Sequence, residues 1–225
     1  MKALILAAGF GKRMLPLTEH TPKPLLKVGK QSLIEHHLDG LATAGVKDVV
    51  INTAHLAEQI EQTLGNGQRY GLNIEYSREP YPLETAGAII QALPLLGSQE
   101  FILVNGDVFT DFDFSTLMSK NTQYAHLIVV PNPEQHPEGD FALRDGVLNS
   151  TDLPKYTYAG LGLYHPQMFA NYEAGSVLPL GPILRQQMLQ QHISGQLYEG
   201  VWHDIGTPQR LEQLNQQILQ ETHGS

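Results

Sequence analysis

Lys2-Ala3-Leu4-Ile5-Leu6-Ala7-Ala8-Gly9-Phe10-Gly11-Lys12-Arg13-Met14 opens the chain and decides its fold class. Lys2–Leu6 is a short apolar run that reads as a buried strand, and a glycine-rich segment carrying two cations follows it at once. Glycines after a strand let backbone N–H groups approach an anion closely, and Lys12 and Arg13 add charge there. Two familiar phosphate loops are excluded in detail. A dinucleotide fingerprint needs a third glycine where Met14 stands, and a P-loop needs Ser or Thr where Arg13 follows Lys12. The start is expected to be a strand and not a secretory signal, because the apolar run is short and Lys12-Arg13 fall where cleavage would occur.

Working outward, strands and helices alternate. Ser32-Leu33-Ile34-Glu35 is a capping box that starts a helix running to about Ala44. Val49–Ile51 is a second strand, a helix near Leu56–Leu64 follows, and Leu72–Tyr76 alternates like a strand. Thr85–Leu96 reads as a helix interrupted near its end by Pro94, and Phe101–Val104 is a third apolar strand ending in Asn105-Gly106-Asp107. The second half is richer in strands: His126–Val130, a hairpin over Phe141–Leu148 turning at Asp145-Gly146, and Tyr158–Tyr164. Leu180–Gln191 has helical spacing, and a final helix opens at Thr207-Pro208. The expectation is an α/β protein: a single-domain, doubly wound, Rossmann-like sheet, mainly parallel but mixed, flanked by helices. The single domain covers residues 1–225, with a first part over 1–115 and a more strand-rich second part over 116–225. Ligands in such sheets sit beyond the carboxyl ends of the strands, where Ala7–Arg13 and Asn105–Asp107 fall.

Composition narrows the chemistry. The 225 residues include no cysteine, which excludes a disulfide framework, a thiolate metal site and a cysteine nucleophile. Lys and Arg number 14 against 23 Asp and Glu, a formal charge of −9, so neither nucleic acid nor an anionic membrane is an expected partner. No stretch is apolar for long enough to span a bilayer, and a cytoplasmic location is expected. Small anions remain plausible partners wherever a few cations gather. Thr21-Pro22-Lys23-Pro24 is such a place, since the flanking prolines stiffen the backbone around Lys23. Asp107, ending a buried strand, suits Mg²⁺ as a hard oxygen ligand. The adjacent pair His36-His37 does not share a helix face and is read as structural.

Leu6 to Thr18 with Lys23-Pro24 fills every position of the pattern Leu-Ala-Ala-Gly-x-Gly-x-Arg-Met/Leu-x-Pro-Leu-Thr…Lys-Pro. On this ground the sequence resembles the sugar-1-phosphate nucleotidylyltransferases. The resemblance continues in Leu83–Gly87, Asn105–Asp107 and Trp202–Thr207 and covers nearly the whole chain. It implies a nucleotidyltransferase fold in which residues 1–115 are the nucleotide-binding part and 116–225 the sugar-binding and metal-completing part, with Mg²⁺ as cofactor and small-molecule substrates: a nucleoside triphosphate and a sugar 1-phosphate. Ala8, Gly9, Gly11, Lys12, Arg13, Lys23 and Thr85 are then nucleotide-binding, with Arg13, Lys23 and Asp107 catalytic. Asp107 and Asp204 hold the metal, and Asn105 and Asp140 meet the sugar. The run Asn105–Phe114 and Glu138–Phe141 point within the family to UTP and N-acetylmuramic acid α-1-phosphate, in peptidoglycan recycling. Glucose or mannose 1-phosphate with dTTP, UTP or GTP is the alternative. A non-catalytic nucleotide-sugar sensor and an NAD-dependent oxidoreductase are readings of other kinds. Two points set the chain apart. Glu84 stands where related guanylyl- and thymidylyltransferases often have glycine, and the sequence leaves no room for the C-terminal acyltransferase domain of bifunctional relatives. Arg144, Lys155 and Arg185 are the cations available to a lactyl carboxylate.

Overall fold

A computed structural model describes residues 1–223. Its strands are β1 (Lys2–Leu6), β2 (Lys27–Val28), β3 (Gln31–Ser32), β4 (Asp48–Thr53), β5 (Asn73–Arg78), β6 (Phe101–Asn105), β7 (Val108–Thr110), β8 (Ala125–Val130), β9 (Phe141–Arg144), β10 (Val147–Asn149), β11 (Lys155–Tyr164), β12 (Ile193–Leu197) and β13 (Trp202–Asp204). Its helices are α1 (Leu33–Thr43), α2 (Ala57–Leu64), α3 (Glu84–Leu96), α4 (Ser115–Met118), α5 (Leu180–Met188) and α6 (Pro208–His223).

Nine strands form one sheet in the order β5-β4-β1-β6-β11-β8-β12-β10-β9. β5, β4, β1 and β6 run parallel, as the alternation of strands and helices predicts. Beyond β6 the sheet is mixed: β11 is antiparallel to β6 and β8, and only β12 with β8 is parallel. The hairpin β9–β10 turns at Asp145-Gly146, both with positive φ, as expected of that dipeptide.

Alternation along β1 builds two cores. Ala3 and Ile5 pack with Ile34, Leu38 and Leu41 of α1 and Ile60 of α2. Leu4 faces the other way, toward Ala86, Ile89 and Ile90 of α3 and Ile183 and Leu184 of α5. The capping box of Ser32 and Glu35 is formed as expected and starts α1. Pro94 does not interrupt α3, which continues to Leu96. Pro94 has no N–H to give the Ile90 carbonyl one turn earlier, but only two residues of the helix follow it, so the loss is confined to the last turn.

A third, smaller core explains how the far end of the chain reaches the first loop. Met14, fully buried beside Arg13, packs with Leu26, Val28 and Leu33, and with Ile205, Leu211 and Leu214 around the start of α6.

Candidate active site

The carboxyl ends of three parallel strands line up. Leu6 pairs in register with Asn52 of β4 on one side and Asn105 of β6 on the other. Beyond that row lies a cleft of about 330 Å³ lined by Ala8, Gly9, Lys23, Asn52, Glu79, Glu84, Thr85, Asn105 and Asp107 among others. A second cleft of about 210 Å³ shares Asn105 and Asp107 with the first and is lined further by His136, Tyr158, Trp202 and Asp204.

The glycine-rich loop is held against the lysine. Gly11 has φ +61°, and a Cβ there would meet Thr18 Cγ2 at 2.9 Å and Lys23 Cβ at 3.3 Å. Thr18 Oγ1 donates to Gly11 O, fixing the turn. Lys23, enclosed by Pro22 and Pro24 in a single 3₁₀ turn, is 9% exposed and donates from Nζ to Asp107 Oδ2 at 2.7 Å. Its four-carbon stem is buried while its charge meets the shared wall of the two clefts.

Asp204 reaches the site through a pairing between distant parts of the chain. β13 is antiparallel to β7, with Asp204 opposite Val108, and Ile205 N donates to Asp107 O at 2.9 Å. The carboxylates of Asp107 and Asp204 therefore belong to neighbouring rungs of one small ladder. Each has one oxygen bonded to a cation, and among the described residues neither Oδ1 has a hydrogen-bond partner. Among the described residues no group of three or more His, Cys, Asp or Glu is gathered for a metal. Two carboxylates with spare oxygens fit Mg²⁺ in its usual setting, where few protein ligands leave room for water and phosphate oxygens.

Asn105 stands at the junction of both clefts. β11 carries a register shift between Tyr158 and Gly162, and within it Gly160 has φ +73°. A Cβ on Gly160 would fall 2.6 Å from Asn105 Nδ2, so the bulge makes space for this side chain. Asn105 Oδ1 is buried with no hydrogen-bond partner among the described residues, an acceptor left for a ligand.

The other expected residues distribute as follows. Ala8, Gly9 and Thr85 line the first cleft. Gly11, Lys12 and Arg13 lie outside its lining: Lys12 Nζ sits over the exposed Phe10 ring, and Arg13 Nη1 is 3.4 Å from where a Cβ of Gly206 would be, on the Asp204 side. Asp140 is not in the lining of the second cleft. Its Oδ2 accepts from Tyr158 N at 2.8 Å and its Oδ1 bonds His136 Nε2 at 3.1 Å, so it anchors two residues that are. Arg144 pairs with Asp152, Arg185 lies over the Phe141 ring, and neither they nor Lys155 line the clefts.

Besides His136 of the second cleft, three residues escaped sequence reasoning. Asn52 is 3% exposed, accepts from Ala7 N at 2.6 Å and donates to Glu79 Oε1 at 2.7 Å. Glu79 in turn accepts from Leu83 N, ahead of α3. Burial raises the Glu79 pKa, and the bonds from Asn52 and Leu83 only partly offset that. This network ties the first loop to the start of α3. The position of Asn52, one strand over from Leu6 at the carboxyl edge, is the signal that would have found it. The third is Arg210, six residues after Asp204 and bonded to it at 2.7 Å.

Glu84 has φ +64°, a left-handed conformation unusual for a residue with a side chain. Glycine would adopt this turn more easily, yet Glu84 holds it, exposed and lining the first cleft.

Comparison with known proteins gives the family and the fold. Residues 2–142 match the Nucleotidyl transferase family. The chain is 50% identical over 225 aligned residues, 95% of its length and 96% of the relative's, to N-acetylmuramate alpha-1-phosphate uridylyltransferase of Neisseria meningitidis serogroup B. It is 30% identical to the catalytic subunit beta of mannose-1-phosphate guanylyltransferase of Drosophila melanogaster, matching 92% of this chain and 60% of that longer protein. A Bacillus anthracis crystal structure in complex with a sucrose superposes with a TM-score of 0.84 at 24% identity, covering 96% of this chain and 94% of the other, and shows the same fold.

Proposed function

The chain belongs to the nucleotidyl transferase family, and on that premise we propose that it joins UTP to N-acetylmuramic acid α-1-phosphate, releasing pyrophosphate. One observation carries the reading. Two clefts meet at a wall made by Asn105 and Asp107, with the buried-stem Lys23 pointing its charge there, so two phosphorylated reactants have one meeting place. The half-identical Neisseria uridylyltransferase, aligned over nearly all of both chains, supports the choice of substrates.

In the reaction an oxygen of the sugar phosphate bonds to the α-phosphorus of UTP. The bond from that phosphorus to the bridging oxygen breaks, and pyrophosphate leaves with the electron pair. The nucleophile is already ionised at neutral pH, so no side chain need remove a proton. Repulsion between anions is the obstacle, and fixed positive charge is the remedy. Backbone N–H groups of Gly9 and Gly11 are assigned to the triphosphate, with Ala8 and Thr85 lining the nucleoside cleft. Arg13 is assigned to the leaving pyrophosphate and Lys23 to the α-phosphate. Asp107 and Asp204 would hold Mg²⁺, which when bound supplies further charge neutralisation. Asn105 contacts the sugar. The lactyl carboxylate of N-acetylmuramate is assigned to His136, the one basic side chain lining the second cleft among the described residues. Use of the product in peptidoglycan recycling, in the cytoplasm, belongs to the same reading.

A pyrophosphate-release panel tests it: UTP, dTTP and GTP, each against the 1-phosphates of N-acetylmuramic acid, N-acetylglucosamine, glucose and mannose, with and without Mg²⁺. UTP with N-acetylmuramic acid α-1-phosphate is expected to have the highest kcat/KM. A higher value for GTP with mannose 1-phosphate would refute the assignment.

A further inference from the structure

Arg210, in the first turn of α6, donates from Nη1 to Asp204 Oδ2 at 2.7 Å and reaches Asp204 O at 3.4 Å. Gly206 lies between them. A Cβ there would come within 2.9 Å of Arg210 Nη1, 3.3 Å of Asp204 Oδ2 and 3.4 Å of Arg13 Nη1. Two guanidinium groups thus converge beside one carboxylate, and the residue at the convergence has no side chain to keep them apart. Asp107 is matched in the same way by Lys23, also at 2.7 Å. Both acidic groups assigned to the divalent ion have a cation in contact. The Arg210 and Asp204 side chains are only 25% and 29% exposed, so solvent screens the pair incompletely.

A guanidinium on Asp204 repels a metal ion approaching the same carboxylate. A triphosphate offers the guanidinium a competing partner of higher charge and matching geometry. We propose that Arg210 is a positioning residue that makes divalent-ion binding at Asp204 conditional on the triphosphate. It neutralises Asp204 until phosphate oxygens draw it off, and the carboxylate then becomes available to the ion. This rests on the assignment of Asp107 and Asp204 to the metal and goes further by naming the group that orders the binding events.

Mn²⁺ binding, read from the electron paramagnetic resonance of the free ion, tests the inference with the full chain, alone and with UTP but no sugar phosphate. Arg210→Gln is expected to bind Mn²⁺ alone about tenfold more tightly than the wild type. The improvement that UTP brings should shrink by a similar factor. Arg210→Lys keeps the charge and should stay near wild type. Gly206→Ala, which pushes the Arg210 tip from Asp204, should shift binding in the same direction as Arg210→Gln. Equal or weaker Mn²⁺ binding by both Arg210→Gln and Gly206→Ala would overturn the proposal. Asp204→Asn separates the two layers of the argument. If it binds Mn²⁺ with UTP as well as the wild type does, the metal assignment itself falls. If it is impaired while Arg210→Gln is unchanged, only the role of Arg210 is lost.

Discussion

Lys23 Nζ lies 2.7 Å from Asp107 Oδ2 although 84 residues separate them, and the lysine side chain is 10% exposed against 36% for the aspartate. The more buried partner is the cation, fixed by two prolines, and the more accessible one is the carboxylate at the junction of the clefts. That arrangement suits a lysine whose position is set by the fold and whose charge is offered to a ligand.

Lys23→Ala should therefore lower kcat by about 10²–10³, the usual cost of losing a charge-stabilising contact. Because truncation also removes a buried four-carbon stem, stability should fall by about 0.5–3 kcal/mol. Steady-state pyrophosphate release and a thermal melt on the same preparation check both halves.

Glu84→Gly should relieve a left-handed backbone held by a residue with a Cβ. The net gain is expected to be up to about 1 kcal/mol, since glycine returns part of the benefit as chain entropy. The same change removes a carboxylate from the nucleotide cleft, so relative kcat/KM for UTP, dTTP and GTP should shift. A melt that rises with an unaltered nucleotide profile would assign Glu84 a conformational role only.

His136→Ala should raise KM for N-acetylmuramic acid α-1-phosphate more than for N-acetylglucosamine 1-phosphate, which lacks the lactyl carboxylate. Because His136 also bonds Asp140, Asp140→Asn serves as the control. Loss of selectivity in the first variant but not the second separates ligand contact from loop anchoring.

His37 sets an acid limit to stability. It is 2% exposed on α1, and its Nε2 has no partner among the described residues. Burial lowers its pKa to about 4, against weaker upward pulls from a backbone hydrogen bond at Val108 and the charge of Asp107. A base whose folded pKa is depressed contributes stability that is present above its unfolded pKa, near 6.5, and is lost as pH falls through the folded value. Between about pH 6.5 and 4 the loss should approach about 3 kcal/mol. Urea melts across that range check it, and His37→Phe should flatten the curve.

Much of this was legible in the sequence because it is local. The loop after β1 announces itself by glycine and cation spacing, Ser32 and Glu35 mark the start of α1, and Asp145-Gly146 marks a turn. What was not legible depends on distant pairings. The ladder of β7 with β13, joining residues more than 90 positions apart, brings Asp204 beside Asp107 and carries Arg210 with it. The mixed character of the sheet beyond β6 likewise depends on which strands β11 inserts between, which no local pattern states. Asn52 and Glu79 looked like ordinary polar residues until burial gave each a defined partner. The left-handed turn at Glu84 was hidden because a charged residue occupies a position that glycine would have advertised.

The central claim is that one anion-neutralising junction serves both reactants. A crystal structure with UTP, Mg²⁺ and N-acetylmuramic acid, without its 1-phosphate so that no reaction occurs, tests it directly. The account predicts the α-phosphate within contact of Lys23, the metal between Asp107 and Asp204, and the sugar against Asn105 and His136. A nucleotide bound in the first cleft with its phosphates directed away from Lys23 and Asp107 would contradict it.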